Sequence, residues 1–226
     1  MKLSELIVRV KLDVPSIGVT GMTNVQLTVL LNQGCDEVNL IAKIYKGYTD
    51  FDTVANQEEY ALSVVAPKYL GISKAGVWVK DANGNLSEVF PRTEDYMNEF
   101  IPNWRSISGA SFPEWYWQDV DIVRFYPVIN TATTAGVRIY HLKKSNPMSN
   151  DDHYPWSGDT VEIGALRPMD DTLIDFVRWK LSPAKGEGEG KESYTREDFL
   201  MTVRRAAQQV KRRPDLTIDH DYRIRL

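Results

Sequence analysis

Hydrophobic positions recur at helical spacing at both ends of the chain and at strand spacing in the middle. Leu3, Leu6, Ile7 and Val10 form one face of a helix expected over 3–13. PSIGVTGM, 15–22, reads as a loop from its proline and glycines. Thr23 then stands three residues before Gln26, the spacing of a capping box. Leu27, Leu31, Val38, Ile41 and Tyr45 carry the helix it opens, with Cys35 nearby, and the expected end is near Gly47.

From about 49 to 142 the period changes. DFDTV and EYALSVV have strand character. WVKDANGNLSEV predicts a hairpin turning at Asn83-Gly84-Asn85. PRTEDYMNEF, 91–100, predicts a short helix opened by Thr93 and its acidic neighbours. PEWYWQDVDIVRFYP, 113–127, predicts two strands with a turn near Gln118 or Asp119, and GVRIYHL, 136–142, another strand. The expectation is a meander of short antiparallel strands; without long βα repeats a doubly wound sheet is not expected.

Helical spacing returns after the turn-rich stretch 143–159. Pro168 suits a first helical turn, and Leu173, Phe176, Val177, Lys180 and Leu181 continue the pattern. SPAKGEGEGKES, 182–193, reads as a flexible connection, with fast amide exchange expected at Gly186 to Gly190. Thr195 and Asp198 open a last helix whose buried stripe is Phe199, Val203, Ala206 and Val210. Lys211, Arg212 and Arg213 sit at its C-terminal end, and Pro214 stops it.

The fold class expected is α+β: a helical bundle built from N- and C-terminal helices, with an inserted antiparallel β-rich region. The expected parts are helices over 1–48, the β-rich insert over 49–164, helices over 165–213 and an extended tail over 214–226.

The tail, LTIDHDYRIRL, alternates strictly. Ile218, His220, Tyr222, Ile224 and Leu226 share one side; Asp219, Asp221, Arg223 and Arg225 share the other. A lone strand needs partners for its backbone groups. It can add to its own sheet, fray, or pair with another chain. Pairing in trans is the expectation, with the apolar side entering pockets and Arg223 and Arg225 helping to select the partner by charge.

Composition narrows the function. The 226 residues are 42% hydrophobic and 26% charged, with a net charge of -4, which does not suit a general nucleic-acid binder. One cysteine excludes an internal disulfide. Charges interrupt the first apolar run, so a signal peptide is not expected, and no apolar stretch reaches membrane-spanning length.

Candidate chemistry is sparse. GVTGM lacks the rest of a phosphate-binding loop, and no GxGxxG, HExxH, CxxC or GxSxG is present. His141, His153 and His220 are scattered. NDDHY, 150–154, could offer oxygen ligands but lacks EF-hand periodicity. The pairs Asp50/Asp52 and Asp119/Asp121 read as acidic strand ends, Cys35 as a small core residue, and Trp115-Tyr116-Trp117 as core or interface. Neither an enzyme nor a cofactor is expected.

LSELIVRVKLDV followed by TNVQLTVLLNQGCDEVNLIAKIY, the segment FPEWYWQDVDIVRFYPVIN, and the closing helical pair near 165–213 together resemble the head-to-tail adaptor proteins of tailed bacteriophages. The β-rich insert is larger than in the smallest helical adaptors. The resemblance implies a non-catalytic virion structural protein of the neck, made and assembled in the host cytoplasm. Its implied partners are the portal protein, tail or nozzle proteins, identical subunits in a ring of twelve, and double-stranded DNA passing without specific recognition; no membrane is implied. The alternative is a tail-associated carbohydrate- or receptor-binding module, motivated by Trp104, Trp115, Trp117 and Trp156.

Overall fold

The computed structural model describes residues 1–14, 17, 21–101, 103, 104, 109–182 and 194–212. These group into two units. One comprises residues 1–45 with the described residues from 144 onward; the other is Lys46–Lys143.

The helical unit opens with α1, Leu3–Asp13, whose Leu3, Leu6, Ile7 and Val10 are buried as the spacing predicts. In α2, Asn24–Ala42, the Thr23 side chain accepts from the Gln26 amide and Gln26 reaches back to the Thr23 N–H, the reciprocal box read from the sequence. This helix stops at Ala42, earlier than Gly47, because Lys43 turns left-handed at φ 54. The buried Asn39 side chain then takes over as partner for the backbone of Ile44 and Tyr45. Pro168 falls in a 3₁₀ helix, Gly164–Met169, that leads into α5, Asp170–Leu181. α6, Arg196–Lys211, follows and is capped by Thr195 and Asp198.

The stripes of all four helices meet in one core. Trp179 and Phe199 stack at 5.2 Å, joining α5 to α6, and Phe176 packs edge-on against Phe199 at 5.7 Å. Gly34 of α2 admits Phe176: a Cβ there would lie 3.0 Å from the ring.

Residues 144–164, which the sequence reading placed in the insert, group with the helices. Met148 and Trp156 sit in the helical core. Asn32 clamps Met148 from both sides, donating to its carbonyl at 3.1 Å and accepting from its N–H at 2.9 Å. Asp36 accepts from the Ser145 amide and hydroxyl. The carbonyls of Asp151 and His153 receive the unsatisfied N–H groups of Ser4 and Leu3 at the start of α1. Polar loop residues thus serve as cap and brace, a role that hydrophobic periodicity does not encode.

The β unit contains β1 Lys46–Thr53, β2 Glu59–Ala61, a one-turn α3 Leu62–Val65, β3 Tyr69–Lys80, β4 Leu86–Pro91, α4 Glu94–Phe100, β5 Trp115–Asp119, β6 Ile122–Tyr126 and β7 Thr133–Lys143. The strands form one sheet in the order β1-β7-β3-β4-β5-β6-β2. The expected β3–β4 hairpin is present, with Lys80 opposite Leu86 and Gly84 at φ 83. Asp81 closes the turn by accepting from the amides of Asn83 and Asn85. Thr93 caps α4 as expected.

Three details differ from a simple meander. LSVV is a helical turn rather than a strand. β4 and β5 pair in parallel, Phe90 opposite Trp115, because α4 and the chain after it carry the strand across. The β5–β6 turn falls at Val120-Asp121, beyond Gln118 and Asp119.

Candidate interface surfaces

Most of the candidate side chains among the described residues have structural partners. Asp50 holds Arg138 through two hydrogen bonds of 2.7 and 2.8 Å, and Asp52 accepts from the Ala135 amide at 2.7 Å. Asp121 accepts from Ser63, and Asp119 lies 3.6 Å from Arg124. These carboxylates brace strands and turns. Cys35 is buried, and burial pushes its thiol up to about 12, far from a reactive thiolate. His141 is buried, which lowers its pKa. Its Nδ1 meets the Leu142 carbonyl, so Nδ1 donates and Nε2 accepts from Thr49. His153 bonds Asn150 and the Ser149 amide. Among the described residues no group of three or more His, Cys, Asp or Glu is placed to hold a metal, and no helix is long and apolar enough to cross a membrane.

The aromatic run is divided between the two faces of the sheet. Tyr116 enters the cluster of Phe51, Val77, Val123 and Phe125. Trp117 enters a second cluster with Met97, Trp104 and Tyr126. Trp104 meets Trp117 and Tyr126 edge-on, and Trp115 stacks on Tyr126 at 5.7 Å with 3° between the planes. Trp104, Trp117 and Trp156 are buried. Their faces are spent on packing, so they offer no platform to a sugar ring.

The open surfaces lie elsewhere. In the β unit, the face opposite the first cluster carries Tyr48, Arg138, Tyr140 and Trp78. Arg138 sits 4.2 Å over the Tyr48 ring, and Tyr140 packs on both Tyr48 and Trp78. Arginine, tyrosine and tryptophan are the residue types that dominate interface energetics. A depression of about 240 Å³ lies among Gly47, Tyr48, Thr49, Pro67, Lys68, His141 and Lys143. At the end of the β5–β6 hairpin, Val120 is 88% exposed with φ 48, between Asp119 and Asp121.

In the helical unit, Val8 and Leu12 of α1 and Val25 and Val29 of α2 are exposed. Each pair is spaced i, i+4 on the side away from its helix's buried stripe, and Lys11 of α1 bonds Asn24 of α2 at 2.7 Å. Each pair leaves a short exposed aliphatic strip on its own helix. The outer side of α6 carries exposed Met201 with Arg204 and Arg205, at i+3 and i+4.

Sequence reasoning missed these surfaces, because it followed each helix's dominant stripe. The apolar residues left over on the opposite side of α1 and α2 were the signal that could have shown them. The expected partner-binding residues Ile218, His220, Tyr222, Arg223, Ile224, Arg225 and Leu226 lie outside the described residues, as do Gly186 to Gly190, Arg213 and Pro214.

A family model described as SU10 adaptor protein matches residues 1–217. A search of curated proteins returns no match.

Proposed function

The chain belongs to the SU10 adaptor protein family, a phage structural protein and not an enzyme, and on that premise we propose that it forms a ring joining the portal to the tail while DNA passes through. The observation that carries this reading is the family match over 1–217, which takes in the helices at both ends and the β unit between them.

The remaining assignments belong to the same proposal. The ring holds twelve identical subunits in the virion neck, assembled in the host cytoplasm, between the portal protein and tail or nozzle proteins. A net charge of -4 suits a conduit that does not retain DNA through counterion release. The tail, 214–226, is the segment proposed to grip the portal or a neighbouring subunit. Residues 218–226 lie beyond the matched segment, so their role rests on the alternation of Ile218, Tyr222, Ile224 and Leu226.

Mass measurement of the purified 25.8 kDa chain mixed with portal rings of the same phage tests the reading. The expected result is a complex heavier than the portal ring by close to twelve chain masses. A chain that stays monomeric and does not attach overturns it.

A further inference from the structure

We infer that the Val120 tip of one subunit docks on the outer ridge of α6 in the next, as a heterologous contact of the ring. This rests on the ring reading above and adds which surfaces meet.

The tip is built to hold an apolar side chain in water. Val120 occupies the left-handed region at φ 48 and is 88% exposed. A β-branched residue is strained there, while Asn, Asp or Gly fits easily. Both sequence neighbours are aspartates, so the apolar residue falls on the position least suited to it. The turn is fixed around it: Gln118 donates to the Val120 carbonyl at 2.9 Å, and the Asp121 carbonyl accepts from Leu62 at 2.7 Å. Ser63 adds its amide to the Asp121 carboxylate at 3.0 Å. The α3 turn thus tied to the tip brings a second bare aliphatic side chain, Val64, 77% exposed. Strain and solvent-facing apolar surface, with no packing among the described residues in return, point to a partner.

The charges beside the tip say what kind of partner. Arg124 is engaged by Glu59 at 2.6 Å, leaving Asp119 with a 3.6 Å contact and a side chain 65% exposed. Val120 is therefore an apolar point between two carboxylates. The α6 ridge is its complement: Met201 is an exposed apolar residue beside Arg204 and Arg205, neither of which forms an ion pair with a described residue. Seating Val120 against Met201 brings the exposed Asp119 carboxylate toward the guanidinium groups one turn further along α6, a pairing that combines charge with directional hydrogen bonds. The two surfaces differ, so their contact is head-to-tail, the kind that closes a ring beyond a dimer.

The test uses the full chain with portal rings, following assembly by mass photometry and folding by thermal melting. Asp119→Arg and Arg205→Asp should each lower the assembled fraction by about tenfold or more, since like charges facing each other across an interface are strongly penalised. Arg205→Asp should melt as wild type, whereas Asp119→Arg also loses the 3.6 Å contact with Arg124 and should melt slightly lower; combining the two should restore most of the assembly. Val120→Gly should melt at or above the wild-type temperature, because glycine accepts φ 48, yet assemble less. Val120→Cys with Met201→Cys should give a disulfide between chains on oxidation. The inference is overturned if these variants assemble as wild type, if the disulfide forms only within one chain, or if Arg205→Asp loses double-stranded DNA binding while assembling normally. A wild-type chain that neither assembles nor attaches removes the ring itself, a separate failure that takes this contact with it.

Discussion

Asn39 and Tyr45 exchange two hydrogen bonds of 2.8 Å: the Asn39 amide donates to the Tyr45 carbonyl, and the Tyr45 N–H donates back to the Asn39 side-chain oxygen. The same oxygen accepts from Ile44 at 3.2 Å. One buried side chain therefore satisfies the backbone just where the helical unit gives way to β1 at Lys46. Asn39→Leu should destabilise the protein by about 2–4 kcal/mol, since it strands buried backbone groups in a packed site. Urea unfolding measures this, and an unchanged midpoint would show that water replaces the side chain without loss.

Trp117 is buried in a cluster with Met97, Trp104 and Tyr126, and Trp117→Ala should cost about 3–5 kcal/mol of unfolding free energy. Trp115 is half-buried on Tyr126, so Trp115→Ala should cost clearly less. Both variants should lose stability before any binding step changes. A double variant that folds normally and fails only to attach would instead make this strand a recognition surface.

Gly34 faces Phe176, and a Cβ there would approach the ring at 3.0 Å, tighter than ordinary contact. Gly34→Val should force α2 and α5 apart and cost about 1–3 kcal/mol by overpacking. Differential melting against wild type decides it. A neutral result would mean that the Phe176 ring swings aside freely.

Asp170 is buried, and burial raises its carboxyl to about 6 despite the Met1 amine beside it. A carboxyl whose folded pKa exceeds its unfolded value binds its proton more tightly when folded. Its contribution is fully present below about pH 4, the usual aspartate range, and is lost as pH rises through 6. The melting temperature of wild type minus that of Asp170→Asn should therefore fall between pH 4 and pH 6.5. A difference that is flat or rising over that range contradicts the assignment.

Much of this fold is legible in the sequence where one side chain decides one event. Thr23, Thr93 and Thr195 start helices, and Asn83-Gly84-Asn85 turns a hairpin. What escaped reading are pairings that only the folded chain creates. Asn39 ends α2 by reaching Tyr45, beyond any local pattern. Asn32 and Asp36 draw 144–164 onto the helices through polar bonds. The parallel β4–β5 pair depends on where α4 delivers the chain. Val120 was missed as a turn residue because valine is a poor one, and that mismatch is what marks the tip. The tail, read from its alternation, is tested only through its partner.

Deleting residues 217–226 should leave the melting temperature of the free chain nearly unchanged, because a segment that orders on a partner adds little to the unbound fold. Attachment to portal rings should drop sharply in a pull-down. A truncated chain that melts much lower yet attaches normally would place the tail in its own subunit's fold.

The central claim, a ring between portal and tail, is tested most directly by imaging purified neck particles at a resolution that separates subunits. The account predicts density for this chain as a closed ring directly beneath the portal, with an open axial passage. Density for the chain at the distal tail, or single copies outside any ring, would contradict it.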